Sequence, residues 1–433
     1  MKTAIVLFTR DLRVHDNPAL TAATDEAERV LPLFVLDEAL VGSSGSNRLA
    51  FLGEALRDLA RSLGGLAVRR GDTVAEVVRV ARTLDAATVF VAEDASAFAQ
   101  RRERLLRERL DVRVASSSSI VGVGGLRTSS GGSYRVFTPY WRAWRRAPRR
   151  VALERPDVRL PSKIDLGKLP DLGAGGSPDR VRGGECEGRR RLERFLAVGL
   201  AGYGDRADDL AADATSRLSP YLHFGCISPV ELAHRTAASD AFTRQLCWRD
   251  FFLQLLAATP SSETHDFRPR RAAWREDAEA LEAWKLGRTG YPIVDAGMRQ
   301  LREEGWLPNR SRLIVGSFLT KTLGVDWRHG ASHFLELLVD GDAASNTGNW
   351  QWVAGTGADT RGNRILNPLR QADRFDTRGD YVRRHVPELA DIAGRAVHRP
   401  WLLDSAVDYP KRIVDHVDAS VRFRLATTRP TAS

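Results

Sequence analysis

The sequence predicts two domains of different class, an α/β domain with a doubly wound parallel sheet followed by an all-α domain. The chain has 433 residues, more than one hydrophobic core usually supports. Short apolar runs alternate with amphipathic segments over the first 130 residues, whereas strand patterns are absent after residue 185. We therefore expect an α/β domain at 1–130, an interdomain linker at 131–184 and a helical domain at 185–433.

Buried parallel strands are predicted where the apolar runs are continuous rather than alternating. These runs lie at 3–8, 30–36, 66–68 and 88–91. Between them, 47–63 and 74–84 carry apolar residues at helical spacing, and this β-α-β-α order predicts a doubly wound sheet. No GxGxxG motif follows the first run, so the usual dinucleotide-binding version of this fold is not supported.

After residue 116 the sequence no longer alternates short apolar runs with amphipathic segments. Serines and glycines up to 132 predict a loop, and the proline- and glycine-rich stretch 151–184 predicts the linker. Between them, Tyr140-Trp-Arg-Ala-Trp-Arg-Arg-Ala-Pro-Arg-Arg150 is interpreted as a helix face that docks on the neighbouring domain, in preference to a DNA contact. Apolar spacing of three to four residues predicts seven later helices, at 189–200, 229–238, 242–256, 277–285, 291–304, 311–323 and 331–338.

Composition excludes several classes of protein. With 43% hydrophobic residues this is an ordinary soluble chain, and no run of about 20 apolar residues could span a membrane. The apolar start is too short for a signal peptide. Three cysteines without CxxC or CxxH spacing support neither a disulfide framework nor a metal site. We expect a cytoplasmic protein without a metal ion.

The net charge and the tryptophan content suggest that the chain binds a partner. The formal net charge is +10, and only six of the 65 basic residues are lysines. Arginine can grip phosphates bidentately, although arginine in place of lysine also follows from codon bias. Eight of the ten tryptophans lie at or beyond position 248. Core packing is their usual role, and such a concentration in one domain invites a second explanation.

The motif Thr215-Ser-Arg-Leu-Ser-Pro-Tyr-Leu-His-Phe-Gly225 places three hydroxyls at the start of a helix. Ser219 is predicted as the N-cap and Pro220 as the first helical residue, because proline lacks the N–H that this position leaves unpaired. Free N–H groups and the helix dipole attract an anion there, most often a phosphate. The alternative is a helix that is only capped.

A second motif, Asp340-Gly-Asp-Ala-Ala-Ser-Asn-Thr-Gly-Asn-Trp-Gln-Trp352, offers two carboxylates, amides and two indoles within thirteen residues. This set suits a polar aromatic ligand such as a flavin and adenine. Surface carboxylates and helix caps are the ordinary alternative for any one of these positions.

Together the two motifs resemble the photolyase/cryptochrome family, most closely its class I cyclobutane pyrimidine dimer photolyases. The resemblance extends over roughly residues 3–420. It includes Phe8-Thr-Arg-Asp-Leu-Arg-Val-His-Asp-Asn-Pro, Trp248-Arg-Asp-Phe-Phe and Gly290-Tyr-Pro-Ile-Val-Asp-Ala-Gly-Met-Arg. It implies an FAD inside the helical domain and light-dependent repair of DNA.

The resemblance also implies the residues of the cofactor site. Asp340 and Asp342 are expected at the flavin ring edge and the cofactor's sugar, Arg249 close to the flavin, and Asn346 beside the reactive ring nitrogen. The expected pyrophosphate contacts are Tyr203, Thr215, Ser216, Arg217, Leu218 and Ser219.

For electron transfer, the resemblance implies a relay with Trp350 proximal, Trp327 central and Trp274 outermost. For the substrate, it implies a pyrimidine dimer flipped out of duplex or single-stranded DNA, at a cost of a few kcal/mol. The residues expected around that dimer are Gln245, Trp248, Asn309, Arg310 and Trp352.

Three positions depart from the family pattern. Gln245 stands where dimer-splitting members often have glutamate, which weakens the lesion assignment because an amide cannot supply a proton. Leu313 replaces a common methionine, a mild change of volume. Pro308 replaces a frequent histidine, and 307–318 contains no histidine, which disfavours a 6-4 photolyase.

Alternatives remain open beside repair. A cryptochrome photoreceptor often carries a long C-terminal extension, whereas this chain ends about 30 residues after Trp401. A flavin electron carrier would need no aromatic residues for a flipped base. An antenna chromophore is expected near Arg10, Phe34 and Asp94, with 8-hydroxy-5-deazaflavin favoured over methenyltetrahydrofolate. We expect a monomer that binds damaged DNA.

Overall fold

A computed structural model describes residues 3–86, 88–162, 164–173, 175–270, 273–359, 364–404 and 407–428. Its N-terminal part is a five-stranded, all-parallel sheet with the strand order β3-β2-β1-β4-β5. The elements of this part, in chain order, are β1 (Thr3–Leu7), α1 (Pro18–Glu26), β2 (Arg29–Leu36), α2 (Glu38–Ser43), α3 (Ser46–Leu63), β3 (Ala67–Arg70), α4 (Thr73–Leu84), β4 (Thr88–Ala92), α5 (Ala97–Arg107) and β5 (Asp111–Ala115).

Both faces of the sheet are buried, which explains the continuous apolar runs. In β1, Val6 points to a core that includes α1 and α3, while Ile5 points to a core that includes α4. Ile5 pairs with Leu31 of β2 on one side and Val89 of β4 on the other. The prediction of a doubly wound α/β domain is therefore confirmed.

The fifth strand was not predicted. Within β5 only Val112 is fully buried, and its neighbours Asp111 and Arg113 are exposed. An edge strand with one solvent-facing side alternates polar and apolar residues, and a search for continuous apolar runs therefore overlooks it.

The helical part follows α6 (Phe137–Arg146) and a long segment without regular structure among its described residues. Its elements are α7 (Glu185–Arg194), α8 (Tyr203–Arg206), α9 (Ser219–His223), α10 (Pro229–Arg235), α11 (Asp240–Ala258), α12 (Ala278–Lys285), α13 (Pro292–Glu304), α14 (Asn309–Ser317), α15 (Trp327–Leu337), α16 (Ala343–Ala354), α17 (Pro368–Phe375), α18 (Asp380–His385) and α19 (His416–Thr428). π-helical turns at Phe195–Gly199 and Phe318–Leu323 extend α7 and α14.

All seven predicted helices exist, with ends shifted by a few residues and with π turns closing two of them. Several helices were not predicted, among them α16, whose sequence has almost no amphipathic pattern. This helix is buried along most of its length, with Asn346, Trp350 and Gln351 all inside. A helix that is covered on every side has no polar face for periodicity to reveal.

The segment between the two parts lies against both of them. Val30 and Val68 donate backbone hydrogen bonds to the carbonyls of Arg159 (2.9 Å) and Leu166 (2.8 Å). Trp144 of α6 is fully buried, and its indole N–H donates to Asp250 of α11 at 2.9 Å. The docking of this basic aromatic helix on the helical domain is confirmed.

The two domains share one hydrophobic core, in which Phe51 of α3 stacks on Phe224 with ring centroids 4.7 Å apart. Gly225 follows in the left-handed region, at φ +68. A Cβ there would lie 1.9 Å from the carbonyl oxygen of Arg10. Only glycine permits this approach of the two backbones.

None of the helices that the described residues form has the length and apolar character needed to cross a membrane. No group of three or more histidine, cysteine, aspartate or glutamate side chains within the described ranges is arranged to hold a metal ion.

We predict that Gly225→Ala destabilises the protein by about 2–4 kcal/mol, because the added methyl meets backbone and the φ angle is unfavourable for alanine. Urea denaturation measures this as a lower unfolding midpoint. Gly42→Ala in α2 is the matched control, since a Cβ there meets nothing within 4 Å. Equal midpoints for the two variants would contradict the close approach.

Candidate functional site

The two polar motifs, which are far apart in sequence, meet at the turn after α13. Trp306 donates its indole N–H to Ser219 Oγ at 3.1 Å, and Gly305 accepts from the backbone N–H of Val339 at 2.8 Å. The guanidinium of Arg217 lies 4.4 Å from the Trp306 ring centroid. One turn therefore supports both motifs.

The first motif differs from its prediction at the helix start. Leu218, not Ser219, is the N-cap of α9, Ser219 is the first helical residue, and no side chain caps this end. The Ser219 hydroxyl accepts from Trp306 and is thereby committed to a tertiary contact. A local capping pattern cannot anticipate a donor that arrives from 87 residues away.

The residues before α9 form a tight loop. Arg217 adopts a left-handed conformation with φ 50 and pairs with Asp213 (2.8 Å) and Glu304 (2.5 Å). Ser216 accepts from the backbone N–H of Leu218 at 3.3 Å. The Thr215 hydroxyl is buried and has no hydrogen-bond partner among the residues that the structure describes. An unpartnered buried hydroxyl is costly and fits a position that a ligand completes.

Tyr203 lies at the start of α8, and its ring makes edge contacts with Phe195 and Phe242. Burial, and then the Asp208 carboxylate, raise the pKa of this phenol to about 12. Tyr203 is therefore a neutral hydrogen-bond donor at physiological pH.

The second motif is the start of α16. Asp342 is its N-cap and accepts from Ser345 N at 2.8 Å. Asp340, just before it, accepts from Arg312 at 2.8 Å. The Asn346 amide donates to the Ala331 carbonyl at 3.0 Å, which fixes the orientation of its side chain.

Arg10 joins the two motifs. This residue follows β1, and its guanidinium donates to a carboxylate oxygen of Asp342. The same group donates to the His223 carbonyl at 3.1 Å and contacts His223 Nδ1 at 3.2 Å. Because arginine cannot accept a hydrogen bond, His223 Nδ1 must carry the lone pair. Arg10 thus bridges the end of α9 and the start of α16.

The charge states in this cluster follow from burial and pairing. Burial disfavours the charge of Asp342, but Arg10, His223 and Arg249 hold the pKa of its carboxyl well below the usual range. Burial disfavours the charge of Arg10 too, and the carboxylates of Asp342 and Asp94 outweigh it and raise its pKa. Burial lowers the pKa of His223. Asp342 and Arg10 are charged, and His223 is neutral, at physiological pH.

Arg249 of α11 adds a second positive charge. Its guanidinium donates to the carbonyls of Ser118 (2.5 Å) and Leu222 (3.3 Å). Burial lowers the pKa of Arg249, yet arginine keeps its proton in proteins. The neighbouring Asp250, also buried, accepts from Ile120 N and Trp144.

An apolar cleft lies between α11 and α16. Phe252, Phe267, Ala344 and Thr347 are among its lining residues, and Gly348 lets Phe252 approach closely. The Thr215 hydroxyl lies at a separate cavity of about 610 Å³, which Ser216, Arg217 and three arginines of α7 also line. Hydroxyl and guanidinium groups can bind the phosphates of a dinucleotide, and an apolar cleft can accept a flat ring.

The three candidate relay tryptophans belong to one hydrophobic cluster. Trp327 donates to Asp266 at 2.8 Å, and Trp274 lies under the guanidinium of Arg270 at 3.9 Å. Trp350 packs against Phe334 with ring centroids 5.0 Å apart. Within the described part of the chain, no ring contact joins the three directly.

The candidate substrate residues fall into two groups. Arg310 and Trp352 line a cavity of about 160 Å³, and Asn309 is exposed at the start of α14. Trp248 stacks on Phe137 with ring centroids 3.6 Å apart and does not line that cavity.

Gln245 is exposed on α11, one turn before Trp248 and Arg249. Like the residues around the cavity, it is accessible to a large ligand. Trp352 donates its indole N–H to the Asp359 carbonyl at 3.0 Å, which fixes the ring as a wall of the cavity.

The residues expected near an antenna chromophore have different surroundings in the structure. Arg10 is committed to Asp342 and lies 3.8 Å from Asp94. Phe34 is buried in the core of the sheet. The sequence analysis missed the role of Arg10 in bridging the two motifs, and it missed His223 and Arg312. The signal available was position, since Arg10 directly follows a strand and His223 lies inside the first motif.

Comparisons with known proteins agree over the whole chain. A family model described as DNA photolyase matches residues 4–159, and one described as the FAD binding domain of DNA photolyase matches 242–428. The deoxyribodipyrimidine photo-lyase of Streptomyces griseus is 49% identical over 98% of this chain and 99% of the relative.

Solved structures agree as well. A class III photolyase from Agrobacterium tumefaciens matches with a TM-score of 0.91 at 34% identity, covering 98% of this chain and 97% of that one. A photolyase from Sulfolobus tokodaii with two FAD molecules matches with a TM-score of 0.88 at 30% identity, covering 98% and 99%.

We predict that Arg10→Met destabilises the protein by about 2–3 kcal/mol at pH 8, because the buried Asp342 carboxylate loses its ion-pair partner and keeps only the Ser345 N–H and the more distant Arg249. In the wild type, the low pKa of Asp342 means that its stabilisation persists until the pH falls below the usual aspartate range. In the variant, Asp342 can take up a proton or pair with a protonated His223, so the deficit shrinks as the pH falls toward 5. Denaturation at both pH values measures it.

Arg61→Met is the control, since this arginine is largely exposed beside Asp58 and its removal changes stability by less than about 1 kcal/mol. A deficit for Arg10→Met that is the same at pH 8 and pH 5 would show that no buried charge was left behind.

Proposed function

Because this chain belongs to the photolyase/cryptochrome family, we propose that it is a light-dependent DNA repair enzyme that splits cyclobutane pyrimidine dimers. The observation that carries the proposal is the assembly of both polar motifs into one site beside an apolar cleft. A protein of this family needs such a site for its cofactor.

An FAD would be held by the residues of the two motifs. Thr215, Ser216 and Tyr203 offer hydroxyls for its pyrophosphate, while Asp342 and Asn346 offer groups for its ring. When bound and reduced, FAD supplies a light-driven electron that opens the cyclobutane ring and is then recovered. The remaining candidate contacts are Arg217, Leu218, Ser219, Asp340 and Arg249.

The chain's own charges prepare this site. Arg10 and Arg249 are fixed cations beside the anion Asp342, and the carboxylates of Asp94 and Asp250 lie 3.8 Å and 3.9 Å from these two guanidinium groups. His223 stays neutral beside them, which leaves the balance of charge unchanged around pH 7. Asp342 is buried, and the two arginines and His223 are mostly buried, so water screens these charges less than it does at the surface.

Trp350, Trp327 and Trp274 are proposed as oxidisable indoles that act in series from the cleft toward the surface. Trp350 is buried on α16, and Trp274 is partly exposed. Asp266 accepts the N–H of Trp327 and would stabilise a positive charge on that indole.

DNA is proposed to bind over the cavity lined by Arg310 and Trp352. The net charge of +10 favours a phosphate backbone. Trp352 presents an aromatic wall to a flipped base, while Asn309 and Gln245 are exposed and Trp248 is partly exposed.

The type of lesion, the class of photolyase and the antenna chromophore are also proposed. Gln245 can hydrogen-bond a pyrimidine carbonyl, and the absence of histidine at 307–318 argues against the 6-4 lesion. Membership of class I is proposed from the motifs, although a class III structure is similar in fold. For the antenna, 8-hydroxy-5-deazaflavin is proposed. The Sulfolobus tokodaii relative holds a second FAD, and FAD is therefore the alternative antenna chromophore.

We predict that the purified protein, with reduced flavin and blue light, restores thymine monomers in an oligonucleotide that contains a dimer. The dark reaction and the undamaged oligonucleotide are the controls. Chromatography of the digested DNA measures the product. No repair by a protein that holds reduced flavin would favour the photoreceptor alternative instead.

We predict that Trp350→Phe slows photoreduction of the oxidised flavin by about an order of magnitude, because phenylalanine is far harder to oxidise than tryptophan. Repair by enzyme that was reduced beforehand stays nearly unchanged. Absorbance under illumination measures the first rate. Trp401→Phe is the control, since this ring packs on Tyr291 instead. Unchanged photoreduction in Trp350→Phe would contradict the proposed tryptophan relay.

A further inference from the structure

Lys321 is a buried lysine at the cavity that Arg310 and Trp352 line. It lies in the π-helical turn Phe318–Leu323 and is only 4% exposed. π turns inside helices often mark functional positions. Lys321 is itself one of the lining residues, together with Ser317, Arg364 and Leu366.

Among the described residues, none is a counter-ion of Lys321. In the part of the chain that the structure describes, no carboxylate forms an ion pair with its ammonium group. The charged groups that act on it are Arg270 and Arg364, both cations, and Arg310 lies across the cavity. Two of these arginines have carboxylates of their own, since Arg310 pairs with Asp208, and Asp266 and Asp326 act on Arg270. Lys321 has no such neighbour, and a buried cation without a counter-ion is costly, so it would gain from an anion.

The helices packed against the π turn add no negative charge in an ion pair with it. From α19, Arg422 donates to the Thr322 carbonyl at 3.2 Å, and His416 Nδ1 lies 3.4 Å from the Thr322 hydroxyl. Burial lowers the pKa of His416, so this imidazole is neutral above pH 7. The Phe423 ring centroid lies 5.8 Å from Lys321 Nζ.

Lys321 also fixes the opposite wall of the cavity. Its ammonium donates to the main-chain carbonyl of Arg364 at 2.6 Å. Leu366, two residues on, donates its backbone N–H to Ser317 Oγ at 3.1 Å. These two bonds tie the backbone of Arg364 to α14 and its π turn, and they leave the exposed Arg364 guanidinium free to reach a ligand.

We propose that Lys321 is a positioning residue for lesion binding, which holds Arg364 at the cavity and supplies the charge that lets a DNA phosphate bind there. The proposal rests on the proposed function, since it needs DNA at this cavity. It adds that binding of the lesion strand takes up a proton when the pH lies above neutrality, because a bound phosphate favours the charged form of Lys321.

The surroundings of Lys321 determine the pH range over which DNA binding should weaken. Burial, then Arg270 and Arg364, lower the pKa of Lys321 to about 8. In free protein the group therefore loses its charge between pH 7 and pH 9, and an anion at the cavity raises its pKa. Affinity for the phosphate is full below pH 8 and falls as the pH rises above it, by about tenfold by pH 9.

The test measures dark binding of a dimer-containing oligonucleotide by fluorescence anisotropy at pH 7, 8 and 9. The wild type should lose about tenfold in affinity over this range. Lys321→Met should bind about tenfold more weakly at pH 7 and show little further loss. Lys321→Arg should restore tight binding without the pH dependence, because arginine stays charged.

Lys285→Met is the control, because this lysine lies on α12 and pairs with Glu282. It should match the wild type at every pH. Retained flavin and an unchanged unfolding midpoint show that each variant is folded.

Two negative results are distinguishable. If wild type and Lys321→Met share the same affinities and pH profile while the protein still prefers dimer-containing DNA, the role of Lys321 is wrong and the proposed function stands. If wild type shows no preference for dimer-containing over undamaged DNA and no repair, the proposed function itself is wrong.

Discussion

The ion pair between the partly exposed Arg10 and the buried Asp342 is the interaction on which the site depends. Arg10 comes from the end of β1 in the sheet domain, and Asp342 is the N-cap of α16 in the helical domain. The same guanidinium reaches the carbonyl of His223 at the end of α9. Because each of these groups is expensive to bury alone, none can move without the others. The pair thereby fixes the relative positions of the two motifs that would hold the cofactor.

Polar contacts of the same kind hold the two domains together elsewhere. Glu185, at the start of α7, accepts from the backbone N–H groups of Val14 (2.7 Å) and His15 (3.1 Å). Asp16 accepts from Leu153 N and pairs with Arg150 and the Ser228 hydroxyl. These bonds are directional, whereas the shared apolar core is not, so they determine how the domains are oriented. The sheet domain serves as a rigid support for the cofactor site.

One cluster of charge lies between the two domains and another lies in the helical domain, and they differ in a way that matches their proposed ligands. Around Asp342 the positive charges of Arg10 and Arg249 already have an internal anion, so the cleft suits a ring with modest charge. Around Lys321 there is no such anion among the described residues, so the cavity suits a phosphate. The balance of charge thus distinguishes the proposed cofactor site from the proposed nucleic-acid site.

The sequence by itself determined the fold class, because apolar periodicity is a local property, whereas the family resemblance supplied most of the candidate site residues. Four strands, α3, α4 and the seven predicted helices follow from that periodicity, whereas the edge strand β5 and the fully buried α16 do not show it. Ser219 illustrates the limit, since its hydroxyl meets Trp306 rather than capping α9. Only the tertiary structure decided which charges meet, because Arg10 and Asp342 are 332 residues apart and no local pattern relates them.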